Sequence, residues 1–382
     1  MLSFPQTPLT DRYSDDLQKS LSLQLYPLDA YFCDDCTHLQ LGFQVDPEES
    51  YSDYIYQSSV TPGLSAQFNS YAKEVLRILG KESCTESVDV LDVGSNDGSF
   101  TKSLIELGAS AYGVEPASHL SKMCNDHSLP TLNCFFDNSI VAHLGNERFP
   151  QRYDLVSFNN VLANLPNPFE ALCTAKALLK DATSRISIQT GYHPLQFSKG
   201  LFDYIYHEHY SYFSLRSMTA LAKRAGLNVS GFQILDLRGG SARFYLAPLA
   251  SEKVDTQHER FDSLSDFKAL NTLISTSAAH LRNSLLDYKK DGLSIVGFGA
   301  SHSTGTLIHA FRLDNLLDVV VDDNPLKHGK YVPGTRLKVA PPNTKLMSKS
   351  VVVILAWQYF DLICQKLRKS GFTGVILRPI LP

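Results

Sequence analysis

Apolar residues in SAQFNSYAKEVLRILG recur at helical spacing from Gln67, and VDVLDVG after it is a short apolar run closed by glycine. The spacing predicts a helix and then a buried strand. DVGSNDGS next opens a second helix, FTKSLIELGA, and SAYGVEPA reads as a strand ending in an acid. A third helix and strand follow, then the strand RYDLVSFNN, the helix FEALCTAKALLK and the strand RISIQTG. This alternation predicts a parallel, doubly wound sheet. A loop rich in His and Tyr at residues 200 to 214 interrupts it, before the helix SMTALAKRAG and the strands LNVSGFQILDL and SARFYLA. A polar helix over Leu264 to Lys290 leads to a second alternation: LSIVGFGASHS as strand and turn, TGTLIHAF as helix, LDVVVDDNP and SVVVILA as strands, DLICQKLRKSG as helix and FTGVILRP as the last strand. That is a second, smaller Rossmann-like unit. The residues ahead of the first helix are rich in Tyr, Asp, Ser and Pro without a long helical period, so they read as a small irregular module. The expected domains are 1–65, 66–250 and 251–382.

Composition narrows the function classes. In 382 residues, 43% are hydrophobic and 19% charged, which supports packed cores and excludes intrinsic disorder. The net charge is −4 with no Lys/Arg run, so a nucleic-acid partner is not expected. No stretch nears ~20 uninterrupted apolar residues and the first residues turn acidic, so neither a membrane span nor a signal peptide is expected. The expectation is a cytoplasmic protein, and the scattered cysteines, odd in number, suit a reducing compartment without disulfides.

The first glycine turn, Asp92 to Gly98, follows a strand and opens a helix, where small residues let the backbone approach a ligand. It carries only Gly94 and Gly98, not the three glycines of the dinucleotide fingerprint, and acids that repel pyrophosphate. A cationic adenosine ligand without phosphate fits better, with Glu115 at the end of the second strand accepting the ribose hydroxyls. That describes S-adenosylmethionine (SAM). Candidate cofactor residues are Asp92, Gly94, Ser95, Asn96, Asp97, Gly98 and Glu115, with Asn159 and Asn160 at the same sheet edge.

The loop DYIYHEHYSYF crowds His207, His209, Glu208 and four tyrosines together. Its histidines lie two apart, whereas a helical zinc pair lies four apart, which counts against zinc there. A histidine oriented by a carboxylate or phenol is a competent general base near neutral pH, and a tyrosine hydroxyl can donate to an enolate oxygen. The alternative is a hydrogen-bonded knot that only holds the loop.

DVGSNDGS, NNVLANLPNP, FDYIYHEHYSYFS, RGGSARFY, GFGASHSTGTLIHAF and VDDNPLKHGKYVPGT, in order over nearly the whole chain, resemble the sugar C-3 methyltransferases. The resemblance implies a class I SAM methyltransferase domain between an N-terminal zinc-binding module and a C-terminal Rossmann-like domain that holds a nucleotide sugar. It implies methyl transfer from SAM to C3 of a nucleotide-linked 4-keto-deoxysugar through an enolate, in deoxysugar or surface-polysaccharide biosynthesis. Tyr206, Glu208 and His209 match the family's active-site residues, with His209 as the base, and Tyr56 matches a tyrosine of the N-terminal module.

Three positions depart from the family. Its module binds zinc through two CxxC pairs, and here Cys33 and Cys36 form one. A structural zinc wants four ligands, so either the metal site is incomplete, which the ligand rule favours, or a first pair lies ahead of residue 1. Asn164 stands where the family has histidine, which leaves a hydrogen-bonding role in the active site. Ser301, His302, Ser303 and Thr304 replace a lysine-bearing SAKGNT string, yet a strand, glycines and a helix start remain to cradle phosphate, and Lys327 in the next loop can supply charge.

Two other readings compete. A nicotinamide-dependent dehydrogenase would use GFGASHS, which lacks the third glycine, and would leave the first turn idle. A methyltransferase-like partner that binds ligand without turning it over would account for Asn164 and the half zinc site.

Overall fold

A computed structural model describes residues 1–381 except 52–57, 59–63, 82–86, 238, 249–260, 262 and 344–349. The N-terminal module holds helix α1 (Leu17–Leu21), strands β1 (Ala30–Phe32) and β2 (Leu39–Leu41), and helix α2 (Pro47–Tyr51). The first alternation then runs α3 (Leu64–Ile78), β3 (Asp89–Val93), α4 (Ser99–Glu106), β4 (Ser110–Val114), α5 (Ser118–Asp126), β5 (Thr131–Leu132), β6 (Leu155–Asn159), α6 (Pro168–Ala177) and β7 (Arg185–Gly191). After α7 (His193–Ser198) come β8 (Ser211–Tyr212), α8 (Leu215–Arg224), β9 (Leu227–Leu235) and β10 (Ser241–Pro248). The connector helix α9 spans Leu264–Lys290, as its polar pattern predicts. The second alternation is β11 (Ser294–Phe298), α10 (His302–Phe311), β12 (Val319–Val321), β13 (Val339–Ala340), β14 (Ser350–Ile354), α11 (Phe360–Lys369) and β15 (Val375–Leu377).

The central sheet has the order β5-β4-β3-β6-β7-β10-β9. The alternating strands β3 to β7 are parallel as predicted, and the sheet is mixed because β10, beyond the loop that interrupts the alternation, runs antiparallel to both β7 and β9. The short link from β9 to β10 allows only a hairpin, since a parallel return needs a crossover of about a dozen residues or more. The C-terminal sheet, β13-β12-β11-β14-β15, is parallel throughout. In each sheet the strand order reverses beside the first strand, which opens a crevice at the carboxyl ends. Among the described residues, no helix is long and apolar enough to cross a membrane.

The third sheet changes the reading of the His/Tyr-rich loop. β8 lies inside that loop and pairs antiparallel with β2, so the N-terminal hairpin is completed by residues far along the chain. The loop is shared among three cores. Phe202, Tyr204 and Tyr206 pack with the C-terminal sheet, Ile205, Tyr210 and Tyr212 with Leu2, Leu28, Leu39 and Leu41 of the module, and Phe213 with the central sheet. Polar anchors fix it further: Thr306 Oγ1 donates to the Ile205 carbonyl at 2.8 Å, Tyr210 Oη to the Val45 carbonyl at 2.7 Å, and Trp357 Nε1 to Asp203 at 3.0 Å.

Candidate active site

The turn after β3 is shaped for close approach. Gly94 has φ +66°, and a Cβ there would lie 2.4 Å from the Val161 side chain. Asn96 and Asn160 also adopt positive φ, at 53° and 58°. Such conformations in residues other than glycine cost energy and gather at functional sites. The turn borders a cavity of about 370 Å³ lined by Asp92, Gly94, Ser95, Asn96, Glu115, Asn159, Asn160 and Asn164. Asp97 and Gly98 do not line it: the Asp97 carboxylate accepts the Ser99 amide and hydroxyl at 3.2 and 2.6 Å, and Gly98 is the left-handed N-cap of α4.

The carboxylates are held from below. Glu115, 5% exposed, accepts the Asn96 amide on Oε2 and the Ala117 amide on Oε1, both at 2.9 Å. Burial raises its pKa and those two amides oppose the rise. Burial likewise pushes the Asp92 carboxyl up to about 7, against hydrogen bonds from Asn159 and Thr101. A bound cation would favour the charged form of both. Ser95 Oγ, Asn159 Oδ1 and Asn164 Oδ1 are buried without a hydrogen-bond partner among the described residues. Unpaired polar atoms of this kind are costly unless a ligand satisfies them. The donor set fits the adenosyl and amino-acid parts of SAM. Pattern reasoning missed Phe135, Phe136 and Asp137 on the same wall, although their place just after β5 at the carboxyl edge was a usable signal. It also missed Asp46, Pro47 and Glu48, through which the N-terminal module reaches the cavity.

The second group sits on the shared loop. Tyr206 Oη lies 3.0 Å from His209 Nε2, with the rings 4.2 Å apart. A neutral imidazole accepts from that phenol and an imidazolium donates to it, so the pair is satisfied in either protonation state. Glu208 Oε1 accepts from Thr10 Oγ1 at 3.0 Å in a buried setting. β8, two residues beyond His209, packs against the turn Leu162–Asn164, and Asn164 lines the cofactor cavity. The loop is therefore linked to the cofactor site through the turn that carries Asn164. Tyr56 lies outside the described residues.

The C-terminal turn answers its sequence reading unevenly. Ser301 and His302 are half-buried at the start of α10, whereas Ser303 and Thr304 turn inward. Thr304 Oγ1 donates to the Gly299 carbonyl at 3.0 Å, and Ser303 Oγ lies 3.1 Å from Ser301 Oγ. His302 Nε2 lies 2.8 Å from Asp11 of the N-terminal module. Lys327 donates to the Ala300 carbonyl at 2.7 Å and sits 3.8 Å from Asp11.

Three family models match successive stretches: a "putative zinc binding domain" over residues 1–51, a methyltransferase domain over 64–230 and a C-methyltransferase C-terminal domain over 236–380. The chain is a SAM-dependent C-methyltransferase. Its central sheet is that of the class I SAM methyltransferases. The chain is similar to C-methyltransferase NovU of Streptomyces niveus, 25% identical over 94% of this chain and 87% of that protein. It is also similar to the ubiquinone biosynthesis O-methyltransferase of Proteus mirabilis, 28% identical over 24% of this chain and 37% of that protein. Among solved structures, the CcbJ methyltransferase of Streptomyces caelestis is 14% identical, with a TM-score of 0.38 over 50% of this chain and 95% of that one.

For zinc, the donor set of this C-methyltransferase is half of what a structural site needs. Cys33 and Cys36 stand together, but among the described residues no third His, Cys, Asp or Glu joins them in a metal-holding group. His38, the nearest imidazole in sequence, is engaged with Ser211 Oγ at 3.2 Å, and burial lowers its pKa to about 4.

Proposed function

We propose that this C-methyltransferase methylates C3 of a nucleotide-linked 4-keto-deoxysugar through an enolate, in deoxysugar or surface-polysaccharide biosynthesis. The observation that carries the reading is the Tyr206–His209 pair, 3.0 Å apart on the loop whose strand β8 packs against the turn that brings Asn164 to the cofactor cavity. Carbon methylation needs a carbon nucleophile, and a ketone makes the neighbouring C–H acidic enough for an imidazole to remove its proton. His209 takes the C3 proton on Nε2, and the Tyr206 phenol, or a donor beside it, holds the developing enolate oxygen. SAM, bound against Asp92, Glu115, Asn159 and Asn160, supplies the electrophilic methyl group. In this reading the partner is the sugar nucleotide, and Ser301, His302 and Lys327 at the C-terminal turn meet its anionic part.

The test is proton exchange at C3. Incubated in D2O with a panel of nucleoside-diphosphate 4-keto-6-deoxyhexoses, the wild type should exchange the C3 proton of at least one sugar, and with SAM should methylate it. His209→Asn should lose exchange and methylation while SAM binding, read by calorimetry, is retained. Methylation without any preceding exchange in the His209→Asn variant would sink the assignment of the base.

A further inference from the structure

The segment Thr10–Ser14 runs from the N-terminal module between the reactive loop and the C-terminal unit. On one side Thr10 Oγ1 donates to Glu208 at 3.0 Å. On the other, Tyr13 Oη donates to the Ala300 carbonyl at 3.2 Å, and the Ser14 carbonyl accepts the Tyr331 amide at 2.7 Å. Between them Asp11 reaches across to His302 Nε2 at 2.8 Å and to Lys327 Nζ at 3.8 Å. The His302 ring lies 6.0 Å from the ring of Tyr206, the residue whose phenol meets His209.

We infer that Asp11 is a positioning residue: it fixes His302 as a cation beside Tyr206 and so sets the pH range over which the Tyr206–His209 pair works. This rests on the proposed reaction for its substrate alone. The groups that face His302 are Asp11 from the N-terminal segment, Tyr206 and Glu208 from the loop, and Lys327 from the loop after β12. With His302 protonated, the imidazolium and Lys327 stand against Asp11, while burial raises the pKa of Glu208. Burial alone would lower the pKa of His302, but Asp11, with Glu208, holds it above the ordinary value. Once His302 loses its proton, the cation 6.0 Å from the Tyr206 ring is gone, and the phenol that holds the developing enolate oxygen loses the positive charge that favours it. Activity therefore falls on the alkaline side as His302 titrates.

The experiment compares the pH dependence of kcat for C3 exchange in the wild type, Asp11→Asn and His302→Lys, together with NMR titration of the histidine rings in substrate-free protein. Asp11→Asn should move the alkaline limb down by about one pH unit or more, the effect of losing an opposite charge at contact. His302→Lys, a cation to far higher pH, should remove that limb or push it upward. KM for SAM should stay within about twofold, because neither residue lines the cofactor cavity. An unmoved limb in both variants would overturn the inference, and if Asp11→Asn does not fold, His302→Lys decides alone. If the wild type exchanges no sugar of this class, the proposed reaction fails and NMR decides the positioning role. Titrations of His302 and His209 that both shift in Asp11→Asn support it, and a His209 titration that does not move overturns it.

Discussion

Glu115 Oε2 accepts the backbone amide of Asn96 at 2.9 Å, so the acid that ends the second strand also shapes the glycine turn after the first. Replacing Glu115 by Ala removes a ligand contact and the acceptor for two buried amides together. SAM affinity should fall by about 1.5–3 kcal/mol, the value of a charge-assisted hydrogen bond, measured by calorimetry at pH 7.5. Unchanged affinity would move the cofactor away from this wall.

Asp92 gives the cofactor site its own pH dependence. Its carboxyl titrates at about 7 in the free protein, and a sulfonium nearby favours the charged form. Below that pH, binding SAM must expel a proton, so affinity should rise between pH 6 and 8 and then level off. Calorimetry in buffers of different ionisation enthalpy should show proton release at pH 6 and little at pH 8. Asp92→Asn should flatten the profile.

Three histidines at the seam of the N-terminal module make the fold acid-sensitive. Burial lowers the pKa of His38 and His207 to about 4 and that of His193 to about 3. Because the folded values lie below the unfolded value near 6.5, the unfolded chain takes up protons that the folded one refuses. Stability is therefore complete above about pH 6.5 and is lost as pH falls toward 4, by at most about 1.4 kcal/mol per histidine and pH unit. Thermal melts at pH 7.5 and 5 should show a lower Tm at pH 5, with hydrogen exchange rising first around β2 and β8.

Trp357→Phe should destabilise the protein without touching the cofactor cavity. The indole N–H is a donor to Asp203, a fully buried carboxyl raised to about 7 by burial. Losing it costs about 1–3 kcal/mol, read by urea unfolding, while SAM affinity stays at the wild-type value.

Most of the scaffold was legible because its elements answer to local pattern. VDVLDVG and SAYGVEP are strands because apolar residues end in a glycine or an acid at a sheet edge, and α9 begins and ends where its polar helical period does. What pattern could not give is partnership between distant residues. β8 is a two-residue strand that exists only through β2, and nothing in Ser211-Tyr212 announces it. No pattern around Asp11 points to His302, its partner in the fold. Ser303 and Thr304 read as phosphate donors because hydroxyls at a helix start often are, and that pattern does not reveal that Thr304 Oγ1 donates to the Gly299 carbonyl. The antiparallel β10 follows from a hairpin length that strand composition does not encode.

The sharing of the reactive loop among three cores bears on the order in which a growing chain acquires structure. Asp203 waits for Trp357, which follows it by 154 residues, and Glu208 waits on Thr10, which precedes it by 198. Contacts at such separations close late, after the local helices and hairpins have formed. A nascent chain halted at the end of the central sheet would own a cofactor pocket but a loop still lacking the anchors of Thr306 and Trp357. Methyl transfer therefore has to await release of nearly the whole polypeptide from the ribosome, and fragments expressed apart should bind SAM without catalysing it.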